Sequence, residues 1–307
     1  MVKVFIDGSA GTTGLKIHER LAARRDISII QLSEENRKDV QARKEALALA
    51  DIAFLCLPDN AAIEAVSFAR KTDTAIIDTS TAHRVSEDWT YGFPELSGQR
   101  QKIALSKRIA NPGCHASGFI ALIRPLTELG ALPSNTPLSC FSLTGYTGGG
   151  KKMIAEYESD DRDLLLNAPR AYGLTQSHKH LPEMSKLCEL DITPIFCPIV
   201  ASFPRGMEVS IPIFSEMLNV PVCKLRELYK DYYRDGLVRY ADTPDENGFL
   251  SASAFAGRDD MQITVTGNSE RAVLTARFDN LGKGASGAAI QNMNILLGTD
   301  EKTGLNV

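Results

Sequence analysis

In the first third of the chain, short apolar runs alternate with stretches whose apolar positions recur at helical spacing. Val2–Ile6, Ile27–Leu32, Ile52–Leu57 and Ala75–Ile77 read as strands. Leu15–Arg25, Asp39–Ala50 and Asn60–Lys71 read as the helices between them; in the first, Leu15, Ile17, Leu21 and Ala22 carry the period. Such alternation is the pattern of a parallel sheet with crossover helices, a doubly wound α/β domain. After Asn111-Pro112-Gly113 the texture changes. Cys114–Leu129 reads as a helix. Strand-like runs follow at Leu138–Leu143, Ile192–Ala201, Glu208–Ile213, Gln262–Thr266 and Val273–Phe278, with one helix-compatible segment at Cys223–Arg234. Strands with few helices between them predict a mixed or antiparallel sheet in an α+β domain. The final segment opens on glycines at Gly284 and continues as a helix able to pack on either domain. A length of 307 residues agrees with two domains.

Composition narrows the class. Hydrophobic residues make up 43% and charged residues 23%, the balance of an ordinary globular protein. The net charge of −4 comes without a long basic run, so the phosphate-neutralising stripe of a nucleic-acid binder is missing. No apolar run approaches the roughly 18–20 residues that cross a bilayer. Six cysteines lack CxxC spacing, and no metal site is expected. The chain enters its first strand, VKVFIDG, without an export leader, so the thiols are expected to be reduced and the protein cytoplasmic.

Candidate chemistry lies in four places. Gly8-Ser9-Ala10-Gly11-Thr12-Thr13-Gly14 joins the first strand to the first helix, where a dinucleotide pyrophosphate meets backbone N–H groups and the helix dipole. Its GxxGxxG spacing is a weaker signal than GxGxxG. Past the second strand, Ser33-Glu34-Glu35-Asn36-Arg37-Lys38 offers glutamates for a free ribose 2′-hydroxyl and cations for a 2′-phosphate, leaving NAD and NADP both open.

Cys114 follows a Pro-Gly turn and starts an apolar helix, whose unsatisfied N–H groups and positive dipole end favour a nucleophilic thiolate. The other cysteines sit in apolar or amphipathic runs and read as small hydrophobes. Of the five histidines, His18 reads as a surface helix residue, and His115 is ambiguous. His178 and His180 would share a face if their segment were a strand, but no third and fourth metal ligand is evident; acid/base work and substrate binding fit the pair better. Two loops suit anions: Thr144–Lys152, with Gly148 in its glycine run, and Asp78–Arg84, with Ser80 and Arg84.

The combination GSAGTTG, LCLPDNAA, DTSTAHR, WTYGFPEL, NPGCHASGF, GYTGGGKKMIAEYE, HKHLPE, PRGM and GKGASGAAIQNMN resembles the N-acetyl-gamma-glutamyl-phosphate reductases, particularly their shorter type, along nearly the whole chain. Those enzymes belong with the wider group of aspartate-semialdehyde and glyceraldehyde-3-phosphate dehydrogenases. The resemblance implies a Rossmann-type NADP-binding domain (residues 1–113 and 284–307) and an α+β catalytic and oligomerisation domain (residues 114–283). It further implies Cys114 as nucleophile and His178 as acid/base, with His180 and Glu183 orienting substrate or the catalytic pair. Ser80, Arg84 and Arg205 become substrate or phosphate contacts. Gly8 to Gly14 would hold the pyrophosphate, Gly284 to Gly287 (with Ser286) and Asn292 would approach the nicotinamide end, and Ser33, Arg37 and Gly148 would be further cofactor contacts. The implied partners are a small acyl-phosphate substrate and a second copy, or three more, of the chain, with no nucleic acid and no membrane. His115 departs from the Tyr expected in many relatives.

Overall fold

The computed structural model describes all 307 residues. The chain divides into two compact units: Met1–Pro112 with Ala285–Asn306, and Gly113–Gly284 with Val307.

The first unit contains β1 (Val2–Asp7), α1 (Thr12–Ala22), β2 (Ile27–Ile30), α2 (Val40–Leu49), β3 (Ile52–Leu55), α3 (Asp59–Phe68), β4 (Ala75–Asp78), β5 (Thr90–Tyr91), α4 (Gln99–Leu105) and β6 (Arg108–Ala110). The six strands form one parallel sheet in the order β2-β1-β3-β4-β6-β5. Successive residues point to opposite faces, and both faces are covered. Val4, Ile6, Phe54, Ile77 and Ile109 pack with Ile17 and Leu21 of α1 and with Ile290 and Met293 of the last helix of the chain. Phe5, Ala53, Leu55 and Ile76 face Ala46 and Leu47 of α2 and Ala62 and Ala65 of α3. β2 and β3 lie on opposite sides of β1, so the strand order reverses there, which opens a crevice at the carboxyl ends of β1 and β3.

The second unit contains α5 (Cys114–Glu128), β7 (Ser139–Gly145), α6 (Gly150–Glu158), β8 (Arg170–Ala171), α7 (Leu181–Leu187), β9 (Ile195–Ala201), β10 (Met207–Phe214), α8 (Lys224–Tyr232), β11 (Val238–Tyr240), β12 (Met261–Gly267) and β13 (Arg271–Phe278). Its seven-stranded sheet has the order β11-β12-β13-β10-β7-β9-β8 and is mixed, since β7–β9 and β11–β12 are parallel and the other pairs antiparallel. α5 packs on β10 and β13 so closely that a Cβ on Gly118 would lie 2.5 Å from Val209 Cγ2. Pro125 lies inside α5 and cannot donate to the carbonyl of Ala121 four residues earlier. The Tyr233 hydroxyl donates to that carbonyl instead, at 2.8 Å, and Tyr229 donates to the next one. On the opposite sheet face Phe141, Ile195 and Phe214 are exposed. A π-helical turn at Gly282–Ser286 leads into α9 (Gly287–Leu296), the last helix. No helix is long and apolar enough to cross a membrane.

Candidate active site

In the first unit the chain leaves β1 at Asp7 and turns through Gly8–Gly11 into α1, closed by Gly11 N–H donating to the Gly8 carbonyl (3.0 Å). Two of the three glycines are demanded by the fold. Gly8 has φ +87°, and its Cβ would lie 2.2 Å from the Cys56 carbonyl oxygen; a Cβ on Gly14 would lie 2.4 Å from the Gly8 carbonyl oxygen. Gly11 differs: its φ is −72° and a Cβ would find its nearest neighbour at 3.4 Å. Gly11 also caps α1 without a side chain, leaving the first-turn N–H groups for an outside acceptor. An uncapped helix start with an unforced glycine is a cradle for a closely approaching anion.

Beside it is a cavity of about 640 Å³ at the ends of β1 and β3, lined by Gly8–Gly11, Leu32, Arg37, Lys38, Leu57, Pro58 and Ala61 among others. His18, expected as a plain surface residue, also lines it, with Nε2 2.8 Å from the Gln31 amide nitrogen. Ser33 accepts Asn36 N–H on its hydroxyl (3.3 Å), holding the turn that presents Arg37. Arg43, absent from the sequence reading, is buried in the lining: Nε donates to Asp7 (3.0 Å) and Nη1 to Glu64 (3.1 Å). Burial raises the Asp7 carboxyl above its ordinary range, and Arg43 opposes that rise. A charged position on the inner side of an amphipathic helix was the available signal.

Ser80 and Arg84 belong to the same unit. The buried Asp78 carboxylate at the end of β4 accepts the Ser80 hydroxyl (2.7 Å) and binds His83 Nδ1 (2.6 Å); the His83 ring stacks on Trp89. Arg84 donates to the carbonyls of Asn111 and Thr79, each at 2.9 Å. Asn292 donates to the Gly92 carbonyl (3.0 Å) and to Asn111 Oδ1 (3.2 Å), and Asn111 donates to the Ala285 carbonyl (3.0 Å). Ser286 is buried beside these residues in sequence.

The second unit begins with the thiol. Gly113, extended at φ −77°, caps α5, and its N–H donates to Glu183 Oε2 (3.2 Å) of α7, which fixes the entry into the helix. Cys114 is therefore the first residue of a 15-residue helix without a side-chain cap. Gly284 lies against it: a Cβ there would stand 3.0 Å from Cys114 Cβ. From His115, the next residue, a cluster of rings takes in Tyr172, His178, His180 and Phe196, with His178 and His180 centroids 4.7 Å apart and His115 5.7 Å from His178. The two histidines do not alternate along a strand, the premise of the metal reading; they lie in a turn, with His180 capping α7. His178 Nδ1 accepts His180 N–H (3.2 Å), so neutral His178 carries its proton on Nε2. Gln176, with φ +56°, secures this turn by exchanging two amide hydrogen bonds with the backbone of Phe196 (2.8 and 2.9 Å).

His115 is buried, with Nδ1 2.6 Å from Ser142 Oγ and Nε2 2.6 Å from Tyr172 Oη. Burial, reinforced by His178, pushes its pKa down to about 3, so it stays neutral. That removes it from acid/base duty near neutral pH. Burial pushes the Cys56 thiol up to about 12, and Cys140 and Cys188 are shifted the same way by burial; Cys223 is exposed where α8 starts.

Arg205 pairs with Asp279 (2.7 Å), while its Nε is buried without a hydrogen-bond partner. Asn280 ties this loop to the glycine run: it accepts Gly206 N–H (3.0 Å) and donates to Thr147 Oγ1 (3.0 Å), with Gly148 beside it. Asp279 and Asn280 carried no motif and were missed.

Residues 114–280 match the model described as "Semialdehyde dehydrogenase, dimerisation domain", and residues 3–105 match "Semialdehyde dehydrogenase, NAD binding domain". The chain is 46% identical over 306 residues to the N-acetyl-gamma-glutamyl-phosphate reductases of Brucella ovis and Brucella melitensis, covering 96% of this chain and 99% of each relative. Among solved structures, it is similar to aspartate semialdehyde dehydrogenase II from Vibrio cholerae complexed with ASA (TM-score 0.72, 14% identity, 97% and 98% coverage). It is also similar to aspartate semialdehyde dehydrogenase from Francisella tularensis (TM-score 0.72, 14% identity, 97% and 100% coverage). At that identity the likeness shows the fold.

Proposed function

Because the chain belongs to the N-acetyl-gamma-glutamyl-phosphate reductases, within the semialdehyde dehydrogenase group, we propose that it reduces N-acetyl-L-glutamyl 5-phosphate to N-acetyl-L-glutamate 5-semialdehyde and phosphate. The reductant is NADPH, the intermediate a thioester on Cys114, and the pathway arginine biosynthesis in the cytoplasm. The observation that carries this reading is Cys114 at the uncapped start of α5, between Gly113, which Glu183 holds, and His115, whose ring packs with those of Tyr172, His178 and His180.

The helix start favours the thiolate, which adds to the C5 carbonyl. Phosphate leaves with the C–O bond electrons as the tetrahedral adduct collapses to the thioester. His178 presents Nε2–H and α5 its first N–H groups to the oxygen that gains charge, a kind of contact worth about 3–4 kcal/mol. Glu183 holds Gly113 and so the thiol's position; Arg205, with one buried N–H unspent, is the substrate's anion contact. NADPH, when bound, would supply a hydride to the thioester carbon; the C–S bond then breaks, its electrons return to Cys114 as thiolate, and the aldehyde is released. The residues fit that cofactor: Gly8–Gly14 form the pyrophosphate cradle, and Arg37 and Lys38 line the adenosine end beside Gln31, the first residue after β2, while Glu34 faces Arg37 as its ion-pair partner. The open sheet face bearing Phe141, Ile195 and Phe214 is the surface that a second copy of the chain covers.

Replacing the nucleophile tests the reading. Cys114→Ala loses phosphate-dependent NADP reduction from the semialdehyde by at least about 1000-fold and keeps NADPH affinity, read by fluorescence titration. Turnover at the native rate would sink the assignment.

A further inference from the structure

One buried carboxylate of the second unit stands where two parts of the proposed site meet. Asp279, just after β13, is 0% exposed. Its Oδ1 accepts the N–H groups of Leu281 (2.8 Å) and Gly282 (3.3 Å), and its carbonyl accepts Gly284 N–H (2.9 Å). This one residue therefore winds the turn that sets Gly284 against Cys114, where a Cβ on the glycine would stand 3.0 Å from the cysteine Cβ. The other oxygen, Oδ2, accepts Gly257 N–H and pairs with Arg205 Nη2 (2.7 Å). Three backbone N–H groups already satisfy a carboxylate and favour its ionised form without any cation. The ion pair thus does more for Arg205 than for Asp279. Arg205 lies in the loop between β9 and β10, keeps 27% of its side chain exposed and is held at one end, its Nε having no hydrogen-bond partner. A long side chain left loose must be ordered when an anion binds; a bond to a buried, immobile carboxylate orders it beforehand.

We propose that Asp279 is a positioning residue that fixes Arg205 for the substrate's anion and, with its other oxygens, fixes the turn against Cys114, so that anion contact and thiol keep one spacing. The inference rests on the reading above in which Arg205 is the anion contact. Asp279 itself touches neither substrate nor thiol. The loop's backbone has an anchor of its own, since Asn280 Oδ1 accepts Gly206 N–H (3.0 Å). Losing the Asp279 oxygen therefore frees the Arg205 side chain without freeing its loop.

The test reads shielding of Cys114 from iodoacetamide near neutral pH, with NADP present throughout to fill the glycine loop. Inorganic phosphate is the shielding anion in one arm and N-acetyl-L-glutamate in the other. Arg205→Gln identifies the anion that Arg205 holds, as the arm in which shielding weakens. Asp279→Ser keeps a hydroxyl acceptor for the turn and lacks the oxygen facing Arg205. In that same arm it raises the half-shielding concentration about three- to tenfold, the cost of ordering one long side chain less the gain from removing a countercharge. The KM for the semialdehyde rises in proportion, while kcat and the NADPH Kd hold. In the Arg205→Gln background Asp279→Ser adds nothing. A residue that only stabilised the fold would impose its loss there too. Additive losses, or shielding in Asp279→Ser as strong as in the wild type, would overturn the proposal. Should Asp279→Ser not fold by circular dichroism, Asp279→Asn, which fills the same volume and offers one oxygen where there were two, carries the same comparison. Shielding untouched by Arg205→Gln in both arms would instead remove the anion-contact reading, and this inference with it.

Discussion

The two units prepare for negative charge with different materials. In the first, the receptor is backbone: Gly8–Gly11 and the first turn of α1 supply N–H groups, and the side chains matter chiefly by being absent. In the second, side chains make the site: the thiol starts α5, a carboxylate holds the residue before it and a cluster of imidazoles and a phenol follows from His115, with Glu183, Ser142, Tyr172 and Gln176 bonding across long stretches of sequence. A backbone site is fixed by local conformation and is intolerant of added atoms. A side-chain site depends on long-range hydrogen bonds and on protonation. Each is therefore vulnerable to a different perturbation.

The largest contrast lies within the glycine loop. Gly8→Ala forces a Cβ against the Cys56 carbonyl at a left-handed φ and should cost about 3 kcal/mol or more of stability. Gly11→Ala meets no such neighbour and should change stability by less than about 1 kcal/mol, yet raise the NADPH Kd about tenfold or more by crowding the phosphate. Urea unfolding and cofactor titration of the two variants separate these effects; equal loss of stability would contradict a ligand-imposed glycine at position 11.

Side-chain support reaches beneath the thiol. Tyr233→Phe removes the donor that satisfies Ala121, whose carbonyl Pro125 leaves without its helical partner. A buried unsatisfied acceptor costs about 1–3 kcal/mol. The urea midpoint should fall accordingly, and an unchanged midpoint would show that the carbonyl finds another donor.

The same contrast explains what could be read from residues in order. Gly8 and Gly14 announce themselves because strand, turn and helix are contiguous, and Cys114 does so because Pro-Gly precedes it and an apolar helix follows. The long elements were legible to within a few residues, since burial writes a period into them. Short elements were not: β6 has three residues, β5 two, and α7 seven. Nor were residues whose meaning lies in a remote partner. Arg43 meets Asp7 across 36 positions, Ser142 meets His115 across 27, and Asn280 meets Gly206 across 74. Gln176 gave no sign that it would adopt a left-handed φ to pin the turn bearing His178. Such pairings arise from tertiary packing and leave no local trace.

The last expected effect concerns protons, and it belongs to the side-chain unit because backbone N–H groups do not titrate. His115 is neutral when folded, its pKa pushed to about 3 by burial and by His178, whereas the unfolded chain takes up a proton near the ordinary value of 6.5. Between those limits the unfolded state holds one more proton at this residue, so stability rises with pH and is lost as pH falls below 6.5. Above 6.5 the contribution is complete. The slope for one proton is about 1.4 kcal/mol per pH unit. His115→Phe binds no proton in either state, so its stability should decline less steeply on acidification by that amount. Urea midpoints of wild type and variant at pH 7.5, 6 and 5 read the difference directly. Parallel curves would mean that folded His115 protonates after all, despite its burial between Ser142 and Tyr172.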